Sequence, residues 1–363
     1  MIKVITATNT KNPSEFGGTP YKLITELKKS GQLASGLNLR FSPVYNMAKF
    51  LWAICQIMLF RKPRGFQFSS AAILMRRHFL NSQINYNDTI ISFFQICTNR
   101  KAKVIFLIDC TLTYLFQSYP EVLQVPISIR EAAIEREKES YKKAHHILCK
   151  STECVDQVIN YYGVPKTKVS FLPWAANFEM ELNPEILEKR VETYKNTLNL
   201  LFVGKDSYRK GLDKILKFQS KMELLGNSTT LHIIGLEGDN QVNPNVIYHG
   251  FLPSNSVEFS NIFEQSHLGF LVSRSEALGI AALEYQAAGI PTVLSGVDGM
   301  HSVVRTSTCL FDSSDDLEPT VKLVNELIVT GAYQQFLTKA FEDAVKARDW
   351  SSIIKKVANE IES

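Results

Sequence analysis

The sequence predicts an α/β protein made of two Rossmann-like, doubly wound domains. Three observations carry this. Short, nearly continuous runs of Val, Ile, Leu and Phe recur along the whole chain, as strands of a parallel sheet covered on both faces require. Amphipathic helical stretches separate them, which is the alternation of βαβ units. The 363 residues suffice for two domains of ordinary size.

In the first half the strands are expected at Ile2–Thr6, Thr89–Phe94, Lys103–Ile108, His146–Cys149 and Val169–Leu172. In the second they are expected at Leu198–Val203, Thr230–Ile234, Val246–His249, Leu268–Val272 and Pro291–Ser295. The chain leaves the last strand of the first half at Pro173, so a first domain is placed at 1–175 and a charged linker at 176–196. A second domain follows at 197–346. Residues 347–363 read as a closing helix with Trp350, Ile353, Ile354 and Val357 on one face, able to pack back on the first domain. Two such domains place a ligand cleft between the carboxyl ends of their strands.

Composition excludes several classes. A chain 45% hydrophobic and 21% charged falls in the range of globular proteins, and no repeat or low-complexity segment interrupts it. Cys55, Cys97, Cys110, Cys149, Cys154 and Cys309 form no CxxC pair and no zinc spacing, so they read as buried thiols of a reducing compartment. The opening MIKVITATNT lacks the basic-then-apolar layout of a signal peptide, which predicts a cytoplasmic location. Nothing points to nucleic acid. Charge is uneven: residues 1–178 hold 23 Lys or Arg against 11 Asp or Glu, a net +12, and the remainder 17 against 25, a net −8. Either the solvated faces differ in sign, or the first domain faces something anionic. The run Phe50 to Phe60, apolar except for Gln56, is too short to span a bilayer, which takes about 20 residues. It reads as a buried helix. The alternative is a helix lying on an anionic membrane, because Arg61, Lys62 and Arg64 follow it.

The chemistry concentrates in Ser273-Arg274-Ser275-Glu276-Ala277-Leu278-Gly279-Ile280, between an apolar strand and an Ala-rich helix that carries Glu284. A strand–loop–helix junction exposes backbone N–H groups suited to phosphate. Gly279 permits close approach to the backbone. Glu276 and Glu284, eight residues apart, can face one site, where a carboxylate accepts two hydrogen bonds from a sugar diol. The same residues also suit a capped helix with acidic groups near its positive end.

This segment, continued by Glu284-Tyr285-Gln286-Ala287-Ala288-Gly289-Ile290-Pro291-Thr292-Val293, resembles the E-x7-E signature of retaining GT-B glycosyltransferases, especially glycosyltransferase family 4. Three further blocks fall in that family's order: Leu201-Phe202-Val203-Gly204-Lys205 with Arg209-Lys210-Gly211-Leu212-Asp213; His249-Gly250-Phe251-Leu252 near the nucleotide base; and Gly163-Val164-Pro165 with Lys168-Val169 and Pro173. The match covers about residues 145 to 304. The resemblance implies a GT-B fold and transfer of a sugar from a nucleotide-diphosphate sugar to a glycan, lipid-linked saccharide or glycolipid. It implies retention of configuration and neither metal nor cofactor. Glu284 would hold the ribose diol and Glu276 a donor-sugar hydroxyl. Lys205 and Lys210 would hold the diphosphate, aided by Gly204 and the backbone of Leu278, Gly279 and Ile280, with Phe251 near the base.

The chain departs from the family pattern in places. Lys205 stands where Arg is usual, which trades a bidentate fork for a point charge. Ala277 replaces a Gly, and Ser302 stands where Glu is common after Asp298-Gly299. Gly17 and Gly18 occupy the place of the family's Gly-rich loop, or an ordinary turn. Asp109 follows the strand Lys103–Ile108 where many members carry a His near the donor sugar. It positions an acceptor hydroxyl or caps the next helix. His145 and His146 read as structural. Two other readings keep the fold: a nucleotide-sugar epimerase, and a catalytically silent partner-binding module.

Overall fold

The computed structural model describes the chain except for residues 7–8, 12–17, 39–42, 61–64, 97–101, 120–121, 123, 179, 255, 298, 347–349 and 363. It forms two compact units, Met1–Pro173 with Trp350–Ser363, and Trp174–Asp349. The first contains β1 (Ile2–Thr6), α1 (Thr19–Lys29), β2 (Ala34–Asn38), α2 (Pro43–Phe60), α3 (Ser70–Gln83), β3 (Thr89–Ser92), β4 (Lys103–Ile108), α4 (Leu112–Ser118), α5 (Ile127–Lys143), β5 (His146–Cys149), α6 (Thr152–Asp156) and β6 (Val169–Phe171). The second contains α7 (Pro184–Thr193), β7 (Leu198–Val203), α8 (Leu212–Leu224), β8 (Thr229–Ile234), β9 (Val246–Tyr248), α9 (Val257–Gln265), β10 (Leu268–Leu271), α10 (Ile280–Ala287), β11 (Thr292–Leu294), β12 (Cys309–Phe311), α11 (Glu318–Val329) and α12 (Tyr333–Val345). Helix α13 (Trp350–Glu362) belongs to the first unit.

Each unit holds one all-parallel sheet, ordered β2-β1-β3-β4-β5-β6 and β12-β11-β10-β7-β8-β9. In each, the order reverses once, between β1 and β3 or between β7 and β10. Right-handed crossovers on either side of a reversal place helices on both faces, so the central strands carry continuous apolar runs. Thus β5 and β10 are buried at every residue. Two strands escape the sequence pattern. Edge strand β2 reads Ala-Ser-Gly-Leu-Asn and is half-buried beyond Ala34; edge strand β12 has only three residues.

The stretch placed as a linker over 176–196 carries α7 where its charged helical pattern, Glu185 to Lys195, stands, and this helix belongs to the second unit. Two expectations are corrected. The run in α2 is not core. Tyr45 and Gln56 are buried against the first unit, with Trp52 tilted and Tyr45 edge-on against Phe66 at ring distances of 5.9 and 5.1 Å. Along the opposite side of the helix, Met47, Phe50, Leu51, Ile54, Ile57 and Met58 are exposed. One helix face suffices to attach α2, and the sequence is apolar on both. The cysteines are not uniformly buried either: Cys55 is exposed on α2, Cys110 and Cys309 are half-buried, and Cys149 and Cys154 are buried. Cys97 lies outside the described residues.

Helix α13 buries Trp350, Ile353, Ile354 and Val357 and packs on α1. The ammonium of Lys103 donates to the Ile361 carbonyl near its end at 2.7 Å. His146 is built into this unit, with Nε2 2.8 Å from Ser170 Oγ and Nδ1 3.3 Å from Glu360.

Arg190 explains why α7 is fixed. Its guanidinium is 1% exposed and donates to the carbonyls of Glu264 (2.8 Å), Phe263 (2.8 Å), Ala288 (2.9 Å) and Gly289 (3.0 Å). These carbonyls stand at the carboxyl ends of α9 and α10, where the last C=O groups of a helix lack an i+4 N–H partner. A cation there also meets the negative ends of two helix dipoles. Arg190→Met should therefore lower unfolding free energy by about 3 kcal/mol, since four buried carbonyls lose a charged donor. Urea unfolding checks this, and a loss below about 1 kcal/mol would mean the carbonyls find other partners.

Candidate donor site

In an open parallel sheet a ligand finds its crevice where neighbouring connections leave in opposite directions. In the second unit that point lies beyond the ends of β7 and β10. The loop Gly204–Gly211 follows β7, and the loop Val272–Gly279 follows β10. Between the two strands stands Tyr285, fully buried, whose hydroxyl accepts from the Val203 N–H at 2.8 Å and donates to the Phe270 carbonyl at 3.3 Å.

The two loops are stitched together by charge. The Glu276 carboxylate, 8% exposed, accepts hydrogen bonds from the Lys210 ammonium, from Arg209 at 3.4 Å and from the Ser273 hydroxyl at 3.3 Å. Arg209 also donates to the Ser275 carbonyl at 3.0 Å, and the Arg274 N–H donates to the Arg209 carbonyl at 2.7 Å. Burial alone would raise the Glu276 pKa. The Lys210 charge and hydrogen bond, then Arg209 and Ser273, outweigh it and hold the carboxyl below its usual range. Arg274 forms a fork-to-fork pair with Asp213 at the start of α8, with both contacts 2.8 Å, and lies 4.1 Å over the Tyr208 ring. Gly211 turns the first loop into α8 at φ 75°, where a Cβ would lie 2.4 Å from the Val272 carbonyl.

Glu284 sits on α10, 7% exposed, in the second turn from Gly279. Burial pushes its pKa up to about 8, against the opposing pull of Lys210. Gly279 caps the helix at φ 73°, and a Cβ there would meet Met300 Cε at 2.5 Å and Leu271 Cδ2 at 2.8 Å. Leu278 is buried, and Ile280 begins the helix whose first N–H groups have no partner within it. Gly204 continues from β7, its N–H donating to the Ile234 carbonyl at 2.9 Å. Lys205 lies 4.8 Å from the centre of the Phe251 ring, which is half exposed. Nearby, on β8 and just after β9, His232 and His249 stack and share a hydrogen bond of 3.1 Å. Burial, then the His249 charge, brings the His232 pKa down to about 4, so the pair is neutral at physiological pH.

The structure thus brings together Lys210, Glu276, Glu284, Gly204 and Leu278–Ile280 within one unit. Arg209 was missed as a site residue, although it stands beside Lys210 in the quoted block. Among the described residues, no group of three or more His, Cys, Asp or Glu could hold a metal ion.

The first unit holds the remaining candidates. Gly17 lies outside the described residues. Gly18 caps α1 in the left-handed region at φ 79°. Asp109 follows β4, and its side chain is 25% exposed. It pairs at 2.6 Å with Lys150, which is wholly buried at the end of the neighbouring strand β5 and lies 5.2 Å from the Phe93 ring centre. Asp109 does not cap α4; the Thr111 hydroxyl does, and the buried Glu137 carboxylate accepts from Leu112 N–H at 2.8 Å. A lysine ending an apolar strand was the one sequence signal for this pair.

This fold, two parallel six-stranded sheets each with one reversal, is that of the GT-B glycosyltransferases. A solved structure of sucrose-phosphate synthase from Thermosynechococcus elongatus matches with a TM-score of 0.72 at 14% identity, covering 99% of this chain and 98% of that one. An Anabaena protein, in a structure with UDP and glucose, matches with a TM-score of 0.66 at 12% identity, covering 100% and 99%. The model of the family described as Glycosyl transferases group 1 matches residues 184–340, the part that contains every donor-site residue above. Among curated proteins, an uncharacterised 41.2 kDa protein of a cps region in Klebsiella pneumoniae is 25% identical over 205 residues, 52% of this chain and 55% of that protein. An uncharacterised glycosyltransferase of Methanocaldococcus jannaschii is 20% identical over 234 residues, 59% and 58%. The chain spans about half the length of the curated relatives it matches.

The ion cluster makes a stability prediction. Lys210→Met leaves Glu276 buried with less compensation and should cost about 3 kcal/mol. Adding Glu276→Gln should recover part of that loss, because the stranded charge is then gone. Urea unfolding of the two single variants and the double variant checks the coupling; strictly additive losses would mean the two side chains act independently.

Proposed function

We propose that the second unit binds a nucleoside-diphosphate sugar and that the chain transfers the sugar to a hydroxyl of a saccharide or lipid-linked acceptor. The observation that carries this is the meeting, at the β7–β10 reversal, of cationic side chains, a helix amino end and two buried carboxylates. The matched family segment covers the same residues, and the Anabaena neighbour's complex with UDP and glucose makes UDP the first nucleotide to try.

Each group has work that suits its chemistry. Lys205 and Lys210, with the backbone of Leu278 to Ile280, would hold the diphosphate. As the bond from the sugar carbon to the phosphate oxygen breaks, the leaving group gains charge, and fixed cations stabilise it. Lys210 would exchange Glu276 for the diphosphate, which frees Glu276 to accept from a sugar hydroxyl. Glu284 would accept both ribose hydroxyls, and Phe251 would lie beside the base. We read the transfer as retaining and free of metal. The acceptor oxygen attacks the face the diphosphate leaves, and the departing phosphate takes the acceptor proton, so no protein base is required. In the first unit Asp109, oriented by Lys150, would receive an acceptor hydroxyl.

The test is turnover of UDP-, GDP- and ADP-sugars, read as nucleoside diphosphate released. Lys205→Ala and Lys210→Ala should each lower kcat by about 10²–10³, more than they weaken nucleotide binding, because their partner gains charge in the transition state. A change in KM alone contradicts the assignment. Product analysis distinguishes transfer from epimerisation, and no turnover of any sugar nucleotide by a chain that binds them identifies a silent module.

A further inference from the structure

Among the described residues of the first unit, none covers the outward face of α2. Val44, Met47, Leu51, Ile54 and Met58 follow one another at steps of three and four, which aligns them along one side of a helix. Phe50 and Ile57 widen that stripe. All are exposed, Phe50 at 66% and Met58 at 80%. The opposite side is occupied: Tyr45 is buried and its hydroxyl accepts from Arg76 at 2.9 Å, and Trp52 packs on Phe66. The helix is therefore attached by one side and offers an apolar surface on the other, the reverse of an ordinary surface helix.

Charge says what covers it. From residue 27 to residue 87 the sequence holds nine Lys or Arg and no Asp or Glu. Lys49 is exposed on α2 itself. Arg61, Lys62 and Arg64 come next in sequence, outside the described residues. Two copies pairing through α2 would bring two such cationic segments together with no acidic partner. No helix of the described residues is long and apolar enough to cross a membrane.

We propose that α2 docks the chain on an anionic lipid surface, lying along the interface with Phe50, Ile54 and Met58 among the upper acyl chains. Lys49 then meets the headgroups, in a stretch of sequence, residues 27 to 87, that carries no acidic residue. An apolar stripe with a cationic flank is the chemistry that such a surface selects. The inference is independent of the donor site: a chain that binds nucleoside diphosphates but no vesicles refutes this inference alone.

Co-sedimentation of the full chain with phosphatidylcholine vesicles, with and without phosphatidylglycerol, tests it. The chain should pellet with the phosphatidylglycerol vesicles at low salt, stay in solution with phosphatidylcholine alone, and be released at high salt. Arg61→Ala, Lys62→Ala and Arg64→Ala should each weaken binding about fivefold. The combined variant Phe50→Ser/Ile54→Ser/Met58→Ser should abolish binding while its melting temperature and UDP affinity stay as in the parent chain. In a Phe50→Trp variant the indole emission should move to the blue when phosphatidylglycerol vesicles are added. The proposal is overturned if the chain stays in solution at low salt, or if the indole emission is unmoved. It is equally overturned if light scattering shows a dimer that the triple variant dissociates, which makes a second copy the occupant.

Discussion

A carboxylate buried to 8% exposure stays charged only if cations are brought to it, and the second unit is organised around that requirement at Glu276. The cations come from one loop and the carboxylate from another, so the Lys210–Glu276 contact holds the ends of β7 and β10 in a fixed relation. The Arg274–Asp213 fork and the Tyr285 hydroxyl add two more ties between the same strands and their helices. Arg190 completes the support from behind, because the α10 end it caps belongs to the helix that carries Glu284. Such a cluster contributes little net stability compared with apolar packing. Its effect is to keep opposite charges close together at the β7–β10 reversal, where the proposed diphosphate would meet them.

Glu284 stands a few residues away and is treated oppositely by its surroundings. It shares the same burial, but among the described residues no cation bonds to it directly, and its pKa rises to about 8 where that of Glu276 falls. Two carboxyls of one signature therefore exist in different protonation states near neutral pH. A protonated Glu284 accepts poorly from a diol, so the proposed ribose contact and proton release would be linked.

How much of this was legible in the sequence follows from burial. The central strands were readable because parallel strands covered on both faces must be apolar throughout; β4, β5 and β7 match their expected bounds. The edge strands β2 and β12 were not, since a strand with one neighbour can be short and half polar. The donor blocks were visible as residue types in order. Their ion pairing was not, because Lys210 and Glu276 are 66 residues apart and each was assigned to a ligand rather than to the other. Lys150 was hidden for the same reason, 41 residues after Asp109. Helix α2 misled because it is apolar on both sides, and periodicity cannot say which side meets the protein when neither is polar.

The central claim is that the site at the β7–β10 reversal receives a nucleoside diphosphate whose ribose is held by Glu284. Calorimetric titration of UDP, GDP and ADP from pH 6 to pH 9 tests it directly. Glu284 is neutral below about pH 8 in the free chain and must ionise to accept both hydroxyls. The account predicts that at least one of the three binds, and that its affinity rises with pH toward 8, by up to about tenfold per unit below it. Protons should be released on binding at pH 7, and Glu284→Gln should remove both the release and the pH dependence. Affinity independent of pH and unchanged in Glu284→Gln, or no binding of any of the three nucleotides, would contradict it.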